Sequence, residues 1–337
     1  EIMPSLVGSE MCIRDSGDTV LMYETGHFAT LWKKMAEALG LKPEFIGLPG
    51  IEGWRRGVQA DAIEARLRAD TGHAIKAVCV VHNETSTGVT SNIAAVRKAI
   101  DAAKHPALLL VDTISGLAAA DYRHDEWGVD VTVSGSQKGL MLPPGISFNA
   151  VSKKAIEASK TAKLPRAFWG WTEIIEMNKT GYWPYTPNTN LLYGLNEALD
   201  MILEEGLDNV FARHDRLSAA CRLAVNAWGL EVQCADPTVY SPILTGVMTP
   251  EGFDADAIRK TIYERFNMSL GTGLGKMKGR MFRIGHLGEA NDLSLMATLA
   301  GCEMGLKIAG VKLAGSGVGA AMEYLAEQKI PPLKIAA

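Results

Sequence analysis

Cysteine is scarce in this chain, and none of it stands in a paired motif. The five cysteines, at positions 12, 79, 221, 234 and 302, are odd in number, and no two sit at C-x-x-C spacing. Disulfide frameworks and thiolate metal centres are built on such spacings, so neither is expected, and a reducing compartment is implied. Also missing is any apolar run near the roughly 18 residues that span a bilayer. The first residues lack the basic, apolar and small-residue order of a signal peptide. The final Lys334-Ile335-Ala336-Ala337 is no S-K-L peroxisomal address. A cytoplasmic protein without a membrane partner is the expectation. There is no excess of positive charge either: 34 Lys and Arg against 38 Asp and Glu leave a net charge of -4. No basic stretch is interleaved with aromatics, which argues against nucleic acid as a partner.

What is present is an ordinary globular composition, 47% hydrophobic and 21% charged over 337 residues. That length buries a large core and suggests one large plus one small domain. In the first half, apolar runs of strand length alternate with helical patterns. Thr19-Val20-Leu21-Met22-Tyr23, Ala77-Val78-Cys79-Val80-Val81, Ala107-Leu108-Leu109-Leu110-Val111 and Val129-Asp130-Val131-Thr132-Val133 read as strands. A helix is expected over residues 93–100 between two of them. Continuous apolar strands separated by helices predict an α/β fold, a mainly parallel sheet covered on both faces. From Leu191 onward the pattern is helical. A smaller α+β domain then mixes strands (241–248, 280–285) with helices over 256–266 and 291–308. The runs Gly271-Thr272-Gly273-Leu274-Gly275 and Gly315-Ser316-Gly317-Val318-Gly319 are expected as turns, since neither follows a strand and opens a helix as a dinucleotide fingerprint must.

Ligands of open parallel sheets bind beyond the carboxyl ends of the strands. Three such ends carry polar clusters: Asn83-Glu84-Thr85-Ser86-Thr87-Gly88, Asp112-Thr113, and Ser134-Gly135-Ser136-Gln137-Lys138. Taken singly, a strand-ending Asp is a cap and a lone Lys is a surface charge. Converging on one crevice, they supply complementary chemistry. A partly buried lysine attacks an aldehyde to form a Schiff base. An anionic Asp keeps a pyridine nitrogen protonated. Ser136, Gln137 and Thr85 offer donors for a phosphate or a phenolic oxygen. The set suits pyridoxal phosphate better than a nicotinamide or a nucleoside triphosphate.

At these residues the chain resembles a known family. Glu84-Thr85-Ser86-Thr87-Gly88-Val89, Leu110-Val111-Asp112 and Ser134-Gly135-Ser136-Gln137-Lys138 resemble the class V aminotransferases of the pyridoxal-phosphate-dependent transferase fold type I, in the alanine/serine–glyoxylate group. Asp125-Glu126-Trp127-Gly128-Val129-Asp130-Val131, Tyr182-Trp183-Pro184-Tyr185-Thr186-Pro187 and Phe282-Arg283-Ile284-Gly285-His286-Leu287-Gly288 look most like its serine–glyoxylate members. The resemblance runs from about Gly17 to about Leu325.

It implies transamination between serine or alanine and glyoxylate, an amino acid and a 2-oxo acid being the small-molecule partners. Lys138 would be the Schiff-base lysine and proton shuttle, and Asp112 the partner of the pyridine nitrogen. Thr85 would hydrogen-bond near the phenolic oxygen and Gln137 would reach the phosphate, with Ser136 beside them as a further cofactor-binding candidate. Phe28 would stack on the ring, with His27 as the neighbouring candidate. Arg283 would grip the substrate carboxylate by a bidentate fork. Tyr185 and Thr186 would reach a partner subunit's phosphate site, making a homodimer the working unit. The implied division is a cofactor domain over 17–205 and a small domain over 206–332.

Residues 1–16 resemble no part of that family, and the Ser/Thr-Gly-Thr-Gly loop that cradles the phosphate in its members is not found ahead of Gly17. The expectation is therefore a foreign leader over 1–16 and weak cofactor binding. Other readings stand beside the main one. A cysteine desulfurase would need a Cys on a loop, whereas Cys302 lies in an expected helix. A decarboxylase or lyase of the same fold remains open, as does an inactive truncated fragment. A nicotinamide oxidoreductase would need a glycine-rich turn after the first strand, which Tyr23-Glu24-Thr25-Gly26 does not supply.

Overall fold

The computed structural model describes residue 13 and residues 15–327. The expectation of a foreign leader over 1–16 thus lies, for residues 1–12 and 14, outside the described residues; Ile13 is buried with Val20 and Trp32.

The first half alternates as expected. Strand β1 (Thr19–Tyr23) leads to helix α1 (His27–Ala38) and β2 (Lys42–Ile46), then α2 (Ala60–Ala69) and β3 (Ile75–Val81). A short hairpin, β4 (Asn83–Glu84) and β5 (Val89–Thr90), precedes α3 (Ile93–Ala102), β6 (Leu108–Asp112), β7 (Val131–Gly135) and β8 (Ser147–Val151). The six-stranded sheet has the order β2-β1-β3-β6-β7-β8, and only the β7–β8 pair is antiparallel. The alternation of side chains along each strand feeds two cores. Val20, Met22, Cys79, Leu110 and Val133 face one; Leu21, Tyr23, Val78, Leu109 and Val111 face the other. Burial on both faces is why these strands read as unbroken apolar runs. The chain moves outward from β1 to β2, then returns past β1 to β3, so the order reverses between β1 and β3. Their carboxyl ends flank the switch-point crevice in which doubly wound sheets bind ligands.

Helices α4 (Lys153–Ser159), α5 (Trp171–Asn178), α6 (Thr189–Glu205) and α7 (Leu207–Ala227) follow. A second, antiparallel sheet then forms from β9 (Glu231–Val232), β10 (Leu244–Met248), β11 (Gly271–Thr272) and β12 (Met281–Gly285), ordered β11-β12-β10-β9. Between and after these strands come α8 (Ala255–Phe266), α9 (Asp292–Ile308) and α10 (Gly317–Glu327). This half has its own core, in which Val247, Phe282 and Ile284 meet Cys221, Trp228, Leu299 and Cys302.

Both glycine runs depart from the expected turns. Gly271 and Thr272 pair with Arg283 and Phe282 as an edge strand. Gly317 opens α10, because a Cβ there would meet Trp228 Cε2 at 2.6 Å and the Ala224 carbonyl at 2.5 Å; close helix packing, not a turn, requires that glycine.

Phe282 is wholly buried and paired on both sides, with Val247 and Thr272. Phe282→Ala is expected to cost about 3–5 kcal/mol, read as a lower urea midpoint.

Candidate active site

Lys138 sits just past β7, in a turn the local sequence leaves little freedom to move. The Met141 amide donates to the Lys138 carbonyl at 2.9 Å, and Leu142 N to the Ser136 carbonyl at 3.1 Å. Met141 takes a left-handed φ of 60°. A Cβ on Gly139 would overlap the Leu117 carbonyl, so the loop after β6 presses directly on this turn. Strained backbone held by its surroundings is typical of functional segments. The Lys138 ammonium has no ion-pair or hydrogen-bond partner among the described residues. Burial, and then the charge of Arg283, lower its pKa. Both effects favour the free amine, the nucleophilic form.

Asp112 ends β6, fully buried, and takes one hydrogen bond, from Ile114 N at 2.8 Å. No cation pairs with it among the described residues. Burial first, and the nearby Glu84 carboxylate as a further cause, push its pKa up to about 7.

Arg283, on β12, reaches from the second sheet to the turn of the β4–β5 hairpin. Its Nε donates to the Thr272 carbonyl at 2.8 Å and its Nη1 to the Thr85 carbonyl at 2.7 Å. Two backbone acceptors, one in β11 and one in the hairpin turn, fix the guanidinium plane, and Nη2 is left without a protein partner among the described residues. A carboxylate fits that edge.

The other expected residues divide. Thr85 lies half-buried at the end of β4, its carbonyl held by Arg283. His27 and Phe28 open α1, and Arg283 is among the charges that lower the His27 pKa after burial and Lys34. Gln137 is half-buried against Gly135, where an added Cβ would lie 2.7 Å from its Oε1. Ser136 takes a different role from the expected one. It is completely buried, donates its hydroxyl proton to the Pro143 carbonyl at 2.8 Å and accepts from Ile146 N at 3.3 Å. With its single proton spent on the loop, Ser136 has none to give a phosphate. Tyr185 and Thr186 are exposed, and the Tyr185 ring meets Phe168 with centroids 4.9 Å apart; the chain by itself does not bring them to Lys138.

Two contributors were not singled out from the sequence. Thr272 supplies the second carbonyl to Arg283 from inside a glycine run. Glu84 is a fully buried carboxylate whose oxygens accept from Phe28 N, Ala29 N and Ser86. The sequence signals for Glu84 were its place in a strand-end cluster and at the head of the Glu84-to-Val89 motif, neither of which assigns it a role.

With this geometry in hand, likeness to known proteins is informative. The aminotransferase class-V family model matches residues 7–265. That match starts ahead of Gly17 and stops short of Arg283. The serine–glyoxylate aminotransferase of Hyphomicrobium methylovorum is 50% identical over 315 residues, spanning 93% of this chain and 77% of that protein. The L-aspartate–glyoxylate aminotransferase of Paracoccus denitrificans is 48% identical over 313 residues, covering 91% and 77%. Among solved structures, the pyridoxamine–pyruvate aminotransferase of Mesorhizobium loti superposes with a TM-score of 0.87 at 28% identity, over 97% of this chain and 82% of that one. Family, fold and crevice agree: the chain belongs to the class-V aminotransferases, enzymes of fold type I that work with pyridoxal phosphate.

Proposed function

We propose that this protein transfers the amino group of serine or alanine to glyoxylate, with Lys138, Asp112 and Arg283 as the working residues. The observation that carries the reading is the pairing of an unpartnered, partly buried lysine with a pinned arginine at the carboxyl edge of the parallel sheet. The crevice fits the cofactor: Asp112 is a buried carboxylate lacking a cation, and a pyridinium nitrogen supplies one. Pyridoxal phosphate, when bound, supplies an electron-withdrawing ring that renders the substrate's α-proton acidic. Lys138 would hold the cofactor's aldehyde carbon and, once displaced by substrate, carry the proton from the α-carbon. Asp112 would keep the ring nitrogen protonated. Arg283 would orient the α-carboxylate through its free edge, which fixes where the α-proton points. Thr85 and Gln137 would donate to the ring's oxygen and phosphate, and Phe28 would pack on its face. Because Arg283 reads only the shared α-carboxylate, likeness to the Paracoccus enzyme supports a second reading, aspartate as donor; comparing kcat/KM for serine, alanine and aspartate separates them.

We also propose a homodimer, with Tyr185 and Thr186 completing the partner's phosphate site. Phe168, Tyr182, Tyr193 and Leu203 are 59%, 68%, 79% and 69% exposed within one stretch of chain, and a monomer rarely leaves so much large apolar surface in water. The division at 205/206 into cofactor and small domains belongs to the same proposal, as does a cytoplasmic location, where the buried thiols Cys79, Cys221, Cys234 and Cys302 stay reduced.

Lys138→Ala is expected to abolish the visible absorbance of lysine-bound cofactor and to lower turnover at least ~10³-fold, with the far-ultraviolet circular dichroism unchanged. An absorbance band that survives the substitution would sink the assignment. Asp112 makes a second test. An ordinary Asp titrates near 3.8 and this one near 7, so the folded protein retains a proton that the unfolded chain releases. The cofactor-free protein should therefore lose stability as the pH rises from about 4 to about 7, by up to about 1.4 kcal/mol per pH unit. Asp112→Asn removes that loss: urea melts should find the variant more stable than wild type at about pH 8 and matched near pH 4, although its transamination is severely impaired. For the assembly, Leu203→Glu is expected to turn a dimer into a monomer in light scattering.

A further inference from the structure

Helix α1 starts without a cap of its own. Gly26 stands at its N-cap and has no side chain, so the first amides of the helix need acceptors from elsewhere. They find them about 55 residues away. Glu84 Oε1 accepts from Phe28 N at 3.3 Å and Glu84 Oε2 from Ala29 N at 3.1 Å. Ser86 Oγ accepts from His27 N at 2.8 Å and passes its own proton to Glu84 Oε1 at 2.5 Å, while Ser86 N reaches the same oxygen at 3.2 Å. Every partner is a donor, and the helix N-terminus adds its positive end; these contacts favour the ionised carboxylate against burial, which as the largest cause raises the Glu84 pKa. Gly26 is required for space: its φ of 168° is extended backbone open to any residue, but an added Cβ would lie 2.5 Å from Glu84 Cγ and Cδ. Arg283 adds a favourable charge.

In doubly wound sheets the helix N-terminus at the switch point is the anion site. Here that site is filled from within. We propose that Glu84 is a positioning residue for the reaction: its carboxylate locks the first turn of α1 to β4, and so sets the Phe28 ring against the cofactor plane. The same three-residue segment presents Thr85 and, through the Thr85 carbonyl, anchors Arg283. Glu84 touches neither substrate nor cofactor and acts through Phe28.

This inference rests on the proposed place of Phe28 over the ring, and a double-mutant cycle keeps the two claims apart. Glu84→Gln keeps the shape but turns an amide N–H₂ toward amide donors, so the first turn of α1 loses part of its anchor. We expect Glu84→Gln to weaken pyridoxal phosphate binding roughly 5- to 10-fold, the size of one lost ring contact, measured by quenching of tryptophan fluorescence. The circular dichroism of the bound cofactor should change with it. Phe28→Leu should weaken binding to a similar degree, and adding Glu84→Gln to it should weaken binding no further. Wild-type affinity in Glu84→Gln, or full additivity with Phe28→Leu, would overturn the proposal. Wild-type affinity in Phe28→Leu would overturn the placement of Phe28, and with it the route by which Glu84 acts. If Glu84→Gln does not fold, Ser86→Ala removes the bridging hydroxyl alone and enters the same cycle in its place.

Discussion

The site depends on the burial of two acidic side chains, Glu84 and Asp112, at one edge of a parallel sheet. Removing a carboxylate from water costs several kcal/mol unless donors or cations replace the lost hydration. Glu84 is partly compensated within the fold, by amides of α1, by Ser86 and by the charge of Arg283, while burial still raises its pKa. Asp112 receives one amide hydrogen bond, and its proton affinity rises accordingly. The two acids lie close enough that Glu84 is among the causes of that rise. Unequal compensation separates their roles. The better-satisfied acid is part of the scaffold, and on the proposed function the other would meet a cationic ring.

Arg283 shows the same division of labour from the cationic side. Its position is set by two backbone carbonyls, Thr85 from the β4–β5 turn and Thr272 from the second sheet. Carbonyls move only when the backbone moves, so the proposed grip on a substrate carboxylate would be tied to the relation between that turn and the second sheet. Lys138 is fixed in a comparable way. Gly139 lets the Leu117 carbonyl approach the turn, and Met141 accepts a left-handed conformation to close it. Each reactive group is therefore aimed by main chain, and the side chains need only be of the right type.

That arrangement explains what the sequence revealed. The strands that build the crevice are buried on both faces, so their apolar runs are unbroken, and β1 coincides with the run from Thr19 to Tyr23. The edges were silent. In β2, Lys42-Pro43-Glu44 carries no apolar pattern, because an edge strand tolerates proline and water. Exposure likewise hides β8, with three of its five residues open to solvent. Lys138 and Asp112 stood out in the sequence by residue type and strand-end position, and Arg283 only through the family motif around it. The work of Glu84 was not legible, since it depends on amides that lie far off in the chain. Ser136 misled for the complementary reason: a hydroxyl at a strand end looks available until the loop over 136–146 closes and takes its proton.

The switch point also constrains where a phosphate can sit. A dianion placed at the start of α1 would face the Glu84 carboxylate at short range, and in a low-dielectric crevice that repulsion is large. Glu84 has already taken the amides that would offset it. A phosphate held on the side of β7, where Gln137 lies half-buried beside Gly135, would avoid that repulsion. On the proposed function, with the ring nitrogen at Asp112, a charged Glu84 would then help to orient the cofactor by exclusion, before any donor to the phosphate is counted.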